Sequence, residues 1–285
     1  MNIYPIDTGK FKLDGGAMFG VVPKSLWQRT NPPDENNMCS WSMRCLLIED
    51  GNRLILVDTG IGDKQSEKFF SYYYLHGDGD LKTAIEKVGF SLDDVTDLVL
   101  THLHFDHCGG AIARDGDKGF RPVFKNATYW SNERHWKWAT VPNPREKASF
   151  LKENILPIEE SGQLKFIARP EKEAIATNVF PHIDFMFVDG HTDSQQLPMI
   201  NYQGKKIVFM ADLLPSVGHI PLPYVMGYDT RPLITLDEKG KFLTKAAAEK
   251  YILFLQHDSV NQCCTLKETE KGIRLDNTFD LKEIL

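Results

Sequence analysis

The sequence predicts an α/β protein in which short buried strands alternate with helices along most of its 285 residues. Three observations predict this fold class. Short apolar runs end at turn-forming residues, which is typical of buried strands. Apolar residues at helical spacing lie between several of these runs. The composition, with 42% hydrophobic and 25% charged residues, is that of a globular protein. We predict a single domain over residues 1–285.

Three strands and two helices are predicted in the first half of the chain. The strands are predicted over 54–57, 95–100 and 121–130. Apolar residues at helical spacing predict a helix over 81–88, which Gly89 can end. The segment 131–160 predicts a second helix that is broken around Pro142 and Pro144.

The second half repeats this alternation of strands and helices. Its strands are predicted over 183–188, 197–202, 206–210 and 251–255. Gln203-Gly204 lies between two of them and favours a hairpin turn. Thr235 and Glu238 form a capping-box pattern that opens a helix through about Lys250.

Charge and cysteine usage exclude several classes of protein. With a net charge of −6 and no basic block, the chain is a poor candidate for a nucleic-acid partner. No apolar run approaches the roughly 18 residues that span a bilayer, so we expect no membrane partner. The N-terminus lacks the pattern of a signal peptide, and the 5 cysteines show no CxxC spacing. We therefore expect a cytoplasmic protein with reduced cysteines.

Histidine and aspartate residues follow the predicted strands at the points where those strands end. Four of them come within six residues after the strand at 95–100, and three follow later strands: His102, His104, Asp106 and His107, then His191, Asp212 and His257. Loops at strand ends can converge above a sheet, where α/β proteins place their ligand sites. The sequence therefore predicts that these side chains form one site.

The types of residue in this set indicate divalent metal ions. Imidazole and carboxylate ligands suit zinc above all, with manganese, iron or cobalt as alternatives. Residues two apart in an extended loop point the same way, so His102 and His104 can chelate one ion together. Four ligands close one tetrahedral site. Seven therefore predict two ions that share one carboxylate.

The segments VDTG, THLHFDHCGG and GHTD resemble the metallo-β-lactamase-fold hydrolase superfamily, with a match from about Met43 to His257. The resemblance implies an αββα sandwich of two mixed β-sheets flanked by helices, with a two-metal site at one edge. It assigns His102, His104 and His191 to the first ion.

By the same resemblance, the second ion is held by Asp106, His107 and His257, and Asp212 bridges the two ions. Asp58 of the VDTG segment is expected to orient a ligand histidine without binding an ion itself.

The segments MFGVVPKSLW, ADLLPSVGHIPLPYVMGYD and FLQHD resemble a bacterial branch that includes quorum-quenching lactonases and organophosphate hydrolases. This resemblance implies that Met18, Phe19 and Tyr224 line the substrate pocket, and that a homodimer can form. Such lactonases often have a tyrosine three residues after the bridging aspartate, where this chain has Pro215. An oxyanion donor other than the ions is therefore not identified.

The remaining histidines and Cys108 are expected to be structural. His76, His135, His182 and His219 lack the context of a strand end, although His219 follows Asp212 closely. Cys108 adjoins a ligand histidine, and we expect it to be a small buried residue rather than an extra ligand.

A lactone or ester hydrolase is the function that this set of ligands favours. Two neighbouring cations lower the pKa of a shared water toward ~7, which supplies hydroxide to attack a carbonyl carbon. Asp106 is the candidate catalytic residue, because it could relay a proton to the leaving alkoxide. The substrate is expected to be a small molecule.

Several alternatives use the same residues. Phosphotriester, phosphodiester and thioester hydrolysis, the last of the glyoxalase II kind, are the rivals within the hydrolase class. A redox di-iron protein is less favoured, because such proteins usually carry Glu at the position of His104 and an attached flavin domain. A non-catalytic binding module is disfavoured because the ligand set is intact.

Overall fold

The computed structural model describes residues 1–284. These residues form two compact units, each built from two segments of the chain. The first unit contains Met1–Gly9 and Met43–Glu173, and the second contains Lys10–Ser42 and the chain from Ala174 onward. The expectation of one domain over 1–285 stays a prediction.

The first unit is built on a mixed sheet of six strands. Along the chain they are β1 (Asn2–Asp14), β2 (Met38–Asp50), β3 (Arg53–Val57), β4 (Asp97–Val99), β7 (Thr128–Ser131) and β8 (Leu164–Phe166), which is also their order in the sheet. The ends of β1 and β2 include residues of the second unit. β2 and β3 are antiparallel, and the strands from β3 to β8 run parallel. A separate antiparallel pair joins β5 (Ile112–Arg114) and β6 (Phe120–Pro122).

The second unit contains a mixed sheet of seven strands. They are β9 (Ile175–Phe180), β10 (Ile183–Val188), β11 (Gln195–Tyr202), β12 (Lys205–Phe209), β13 (Ile252–Phe254), β14 (Cys263–Thr269) and β15 (Gly272–Phe279). The strands follow the order β15-β14-β13-β12-β11-β10-β9. In this sheet β12 and β13 run parallel, and the other five neighbouring pairs are antiparallel.

Helices accompany both sheets. In the first unit they are α3 (Glu67–Ser71), α4 (Leu81–Lys87), α5 (Phe105–Cys108), α6 (Glu133–Thr140) and α7 (Lys152–Glu160). In the second unit they are α1 (Gly15–Phe19), α2 (Lys24–Trp27) and α8 (Pro232–Ala248). No helix within residues 1–284 is long and apolar enough to cross a membrane.

The core of the first unit joins the sheet to α4 and α7. Leu47, Leu56 and Leu98 come from three adjacent strands, and Ile85 and Ile158 come from the two helices. All five side chains are fully buried. Each contributes about 1.5–3 kcal/mol by its burial, which fixes the strand ends that carry the polar residues described below.

Most predicted elements are confirmed, with shifted ends. β3 and β4 correspond to the strands predicted over 54–57 and 95–100, and α4 ends just before Gly89, whose φ is +94°. The predicted hairpin joins β11 and β12. Its turn residues Gln203 and Gly204 have φ of 48° and 77°, as the tight hairpin turns of antiparallel strands require.

The single strand predicted over 121–130 is wrong. β6 ends at Pro122, which has no N–H to continue a strand ladder, and β7 begins only at Thr128. Between them the N–H of Phe124 donates to the hydroxyl of Tyr129 at 3.0 Å. This bond joins two buried residues and stabilises a loop in place of a strand.

The predicted capping box is also wrong. α8 begins at Pro232, a favourable first residue of a helix, so Thr235 lies inside the helix. The carboxylate of Glu238 instead accepts the backbone N–H groups of Asp189 and Gly190 at 2.7 and 3.0 Å. A tertiary contact thus replaces the local one and anchors the segment before His191.

Substitution of Gly109 tests how closely the loop after α5 packs. A Cβ at Gly109 would lie 2.1 Å from the backbone oxygen of Ile61, whereas a Cβ at Gly240 would meet Leu222 at 3.4 Å. We expect Gly109→Ala to lower the free energy of unfolding by about 3 kcal/mol, because backbone atoms cannot yield. Gly240→Ala, within α8, is the control and should gain up to about 1 kcal/mol. Urea denaturation measures both, and equal midpoints would contradict the expectation.

Candidate metal centre

Four of the predicted ligands lie in the first unit directly after β4. His102 and His104 lie on the extended segment that leads to α5, and Asp106 and His107 lie on α5 itself. All four are at most 9% exposed. Nε2 of His102 is 3.1 Å from Nδ1 of His104, and Oδ2 of Asp106 is 3.6 Å from Nε2 of His107. Donor atoms of each pair therefore face each other.

Asp58 fixes the orientation of His107. It follows β3, has a φ of +58°, and is fully buried. Its carboxylate accepts the N–H and the hydroxyl of Thr101, both at 2.8 Å, and Nδ1–H of His107 at 2.9 Å. Because a carboxylate only accepts hydrogen bonds, Nδ1 of His107 carries the proton. Nε2 is left with its lone pair.

Thr101 fixes the orientation of the His102 ring, as Asp58 does for His107. Its one hydroxyl proton is donated to Asp58, so its oxygen is left to accept Nδ1–H of His102, 3.1 Å away. Nε2 of His102 is therefore also the unprotonated, ligand-type nitrogen.

In His104 it is Nδ1, and not Nε2, that faces another predicted ligand. Its Nδ1 faces His102, and its Nε2 lies 3.5 Å from Oε1 of the buried Glu146. The intervening Leu103 donates its N–H to Nε2 of the fully buried His135 at 2.9 Å. His135 thus has the structural role that was expected of it.

The second unit brings together the other three predicted ligands. His191, Asp212 and His257 follow β10, β12 and β13, and are at most 7% exposed. The two carboxylate oxygens of Asp212 face different histidines. Oδ2 lies 2.9 Å from Nε2 of His191, and Oδ1 lies 3.0 Å from Nε2 of His257.

The Nδ1 atoms of these two histidines, which do not face Asp212, lie near other oxygen atoms. Nδ1 of His191 lies 2.9 Å from Oδ1 of the buried Asp229. Nδ1 of His257 lies 2.7 Å from the backbone oxygen of Ser42, to which it must donate. Both histidines therefore turn Nε2 toward Asp212.

The surroundings of His191 keep its imidazole ring protonated when no ion is bound. Burial lowers the pKa of His191, but the carboxylates of Asp212 and Asp229 on its two sides outweigh burial and raise it to about 10. An ion with its positive charge would displace that proton.

The geometry of these residues fits a zinc-type ion. Zn–N and Zn–O distances of about 2.0–2.2 Å give tetrahedral ligand atoms roughly 3.3 Å apart, and the facing donor atoms are separated by 2.9 to 3.6 Å. In each of the five histidines, one ring nitrogen lies near an oxygen atom that does not belong to a predicted ligand. The other ring nitrogen faces another predicted ligand. Outer partners of this kind are typical of metal-binding histidines.

Cys108 does not join the ligands. Its Sγ donates to the backbone oxygen of Leu103 at 3.3 Å, and burial raises its pKa to about 12. The thiol therefore stays protonated, as a buried structural residue does.

Aromatic rings pack beside the ligands of the first unit. The Phe105 ring lies 5.4 Å from the Phe69 ring and 4.7 Å from the Tyr73 ring, measured between centroids. Burial and the nearby charge of Asp106 raise the pKa of Tyr73 to about 12. Phe69, Tyr73 and Phe105 thus form an apolar surface next to Asp106.

The predicted pocket residues lie in the second unit, where His219 contacts two of them, Met18 and Phe19. Tyr224 and His219 line a narrow crevice with Asp212. Phe19 is buried and stacks on His219 with 4.4 Å between centroids, while the backbone oxygen of Met18 accepts Nε2–H of His219 at 2.9 Å. Tyr224 thus lies near the predicted ligand Asp212, whereas Met18 and Phe19 contact His219.

Sequence reasoning missed several residues that hold the histidines. They are Ser42, Thr101, Glu146 and Asp229. Thr101 adjoins His102 and could have been noticed by its position. The other three are distant in sequence from the histidines that they contact, and no spacing signals them.

Comparison with known proteins identifies the family. The sequence profile of the Metallo-beta-lactamase superfamily matches residues 44–257. An N-acyl homoserine lactonase of Bacillus cereus is 23% identical over 287 residues, which cover 96% of each chain. These relatives support a hydrolase.

Solved structures agree with the fold. A "probable metal-dependent hydrolase" from Staphylococcus aureus has a TM-score of 0.87 at 26% identity, covering 98% of this chain and 96% of its own. AidC, a dizinc quorum-quenching lactonase in complex with a product, has a TM-score of 0.76 at 22% identity, covering 98% of this chain and 95% of its own. The predicted fold class of mixed sheets with helices is confirmed, and the chain belongs to the metallo-β-lactamase superfamily.

Proposed function

We propose that the protein is a two-metal hydrolase that opens lactones or cleaves esters, in the manner of an N-acyl homoserine lactonase. The observation that carries the proposal is the arrangement of Asp212. Its two oxygens face Nε2 of His191 and Nε2 of His257 separately, as a carboxylate shared by two ions would. The lactonase relatives support the class of substrate.

The proposed centre uses the seven predicted ligands. His102, His104 and His191 would hold the first ion, Asp106, His107 and His257 the second, and Asp212 both. Zinc is the proposed metal, and manganese, iron and cobalt fit the same ligands. When bound, such ions supply an acidified water and polarise a carbonyl oxygen.

The residues around the ligands would keep this centre rigid. Asp58 and Thr101 hold the rings of His107 and His102, and Asp229 holds that of His191. Because their hydrogen bonds exist before substrate arrives, no reorientation is needed during the reaction. Asp106 is the proposed proton carrier to the leaving oxygen, because it is a carboxylate among the ligands.

The aromatic surface of Phe69, Tyr73 and Phe105 suggests where the apolar part of a substrate binds. It adjoins Asp106 through Phe105, the preceding residue. An acyl chain would bury apolar area there, at roughly 0.8 kcal/mol per methylene. The proposed substrate is therefore a small lactone or ester with an acyl chain.

A panel of substrates tests this function. Zinc-loaded protein is assayed on acyl-homoserine lactones of increasing chain length, a paraoxon-like phosphotriester, a phosphodiester and a glutathione thioester. We expect kcat/KM to be highest for a lactone, by about tenfold or more, and to rise with chain length. A preference for the phosphoesters or the thioester would reject the lactone and retain the hydrolase class. No turnover of any member would contradict the proposal.

A further inference from the structure

We propose that Glu146 is a positioning residue that sets which nitrogen of His104 faces the metal. This inference rests on the proposed function, because it assumes that His104 binds an ion. Nε2 of His104 lies 3.5 Å from Oε1 of Glu146, while Nδ1 lies 3.1 Å from Nε2 of His102. His104 is therefore turned the opposite way from His102 and His107.

The carboxylate of Glu146 is itself held in place. Its Oε2 accepts Nε1–H of Trp138 at 2.7 Å and Nδ2–H of Asn143 at 2.6 Å. Glu146 is only 3% exposed. With Oε2 bound to two donors, Oε1 is the oxygen directed at His104.

Ser149 and Phe150, which follow Glu146 in the chain, contact Phe105 and His104 respectively. The backbone oxygen of Ser149 accepts the N–H of Phe105, the residue after His104, at 3.0 Å. The Phe150 ring lies 4.7 Å from the His104 ring. This segment therefore holds the backbone beside His104 and one face of its ring, and Glu146 meets the outer nitrogen.

The chemistry of a carboxylate decides the position of the proton on His104. Oε1 of Glu146 lies at an ion-pair distance of 3.5 Å from Nε2 of His104. An ionised carboxylate offers only acceptor atoms, so this contact favours the proton on Nε2 and leaves the lone pair on Nδ1. Asp58 fixes Nδ1–H in His107 by the same principle and so exposes Nε2. Two carboxylates thus select opposite ring nitrogens.

Glu146→Gln tests the proposal, because it keeps the size of the side chain and removes the charge. With the amide oxygen retained by Trp138 and Asn143, the amide NH2 faces Nε2 of His104 and favours the wrong tautomer. Outer partners of metal-binding histidines are worth about 10–100-fold in metal affinity. We expect a competition titration with zinc to show one of two binding steps weakened by that factor and the other unchanged.

The matched control is Glu133→Gln on the exposed face of α6. Glu133 pairs with Lys137 at 2.7 Å, and its side chain is 65% exposed, so both zinc affinities should equal those of the unchanged protein. If Glu146→Gln also binds two zinc ions with unchanged affinities, the inference is overturned while the proposed function stands. If the unchanged protein binds no zinc, the proposed function fails instead.

A second measurement does not depend on the folding of a variant. Two-bond ¹H–¹⁵N correlation spectra of the zinc-loaded, unchanged protein report the protonated nitrogen of each imidazole ring. We expect His104 to carry its proton on Nε2 and His102 and His107 to carry theirs on Nδ1. A His104 ring protonated on Nδ1 would overturn the inference.

Discussion

Asp212→Asn is expected to remove most of the bound metal and to lower turnover by about a thousandfold or more. Both oxygens of Asp212 face ring nitrogens, at 2.9 Å for His191 and 3.0 Å for His257. An amide has only one acceptor oxygen, and its NH2 group would face one of these sites with donors. The loss of one shared ligand should therefore weaken both proposed ions, and the lost charge stabilisation amounts to several kcal/mol.

The measurement is the metal content of the purified variant together with kcat/KM on the best lactone. Asp237→Asn is the control, because Asp237 lies on an exposed part of α8 and forms a surface ion pair with Lys241 at 2.6 Å. It should retain the activity and metal content of the unchanged protein. An Asp212→Asn variant with two ions and full turnover would refute the assignment of Asp212.

Removal of metal by a chelator is expected to abolish activity, and added zinc is expected to restore it. In the proposed function the bound cations would supply the acidified water that attacks the substrate. Ions that bind only the folded state also stabilise it, by about 2.7 kcal/mol at a concentration one hundred times Kd. The metal-free protein should therefore unfold at lower temperature.

The affinity of the metal-free protein for zinc is expected to depend on pH. The pKa of His191 is raised to about 10 by its two carboxylate neighbours, so an ion must displace a proton from it at neutral pH. The apparent affinity for zinc should therefore rise from pH 6 to pH 8. Calorimetric titration measures it. An affinity that falls over this range, or turnover that persists without metal, would contradict the expectation.

The parts of the site that follow strand ends could be predicted from the sequence. Apolar runs predict buried strands by local pattern alone, as β3 and β13 show, and the histidines and aspartates that follow them are visible by position. The spacing of His102 and His104 predicts that both side chains lie on one side of the segment, and Nε2 of His102 does lie 3.1 Å from Nδ1 of His104. It does not predict which ring nitrogen each histidine presents. Sequence patterns within a few residues therefore predict these strands and the candidate ligands that follow them.

The residues that hold the ligands could not be predicted, because they act across long stretches of chain. Ser42 contacts His257 across 215 positions, and Asp229 contacts His191 across 38. The error at Thr235 and Glu238 has the same origin. A local capping box competes there with a contact that Glu238 makes 48 and 49 positions away, and the tertiary contact prevails.

X-ray absorption spectroscopy of the zinc-loaded protein tests whether the seven proposed side chains hold two neighbouring ions. We expect two zinc ions per chain, histidine-type scattering, and a metal–metal distance of about 3.5–4 Å. A single ion per chain, or two ions with no such distance between them, would contradict it.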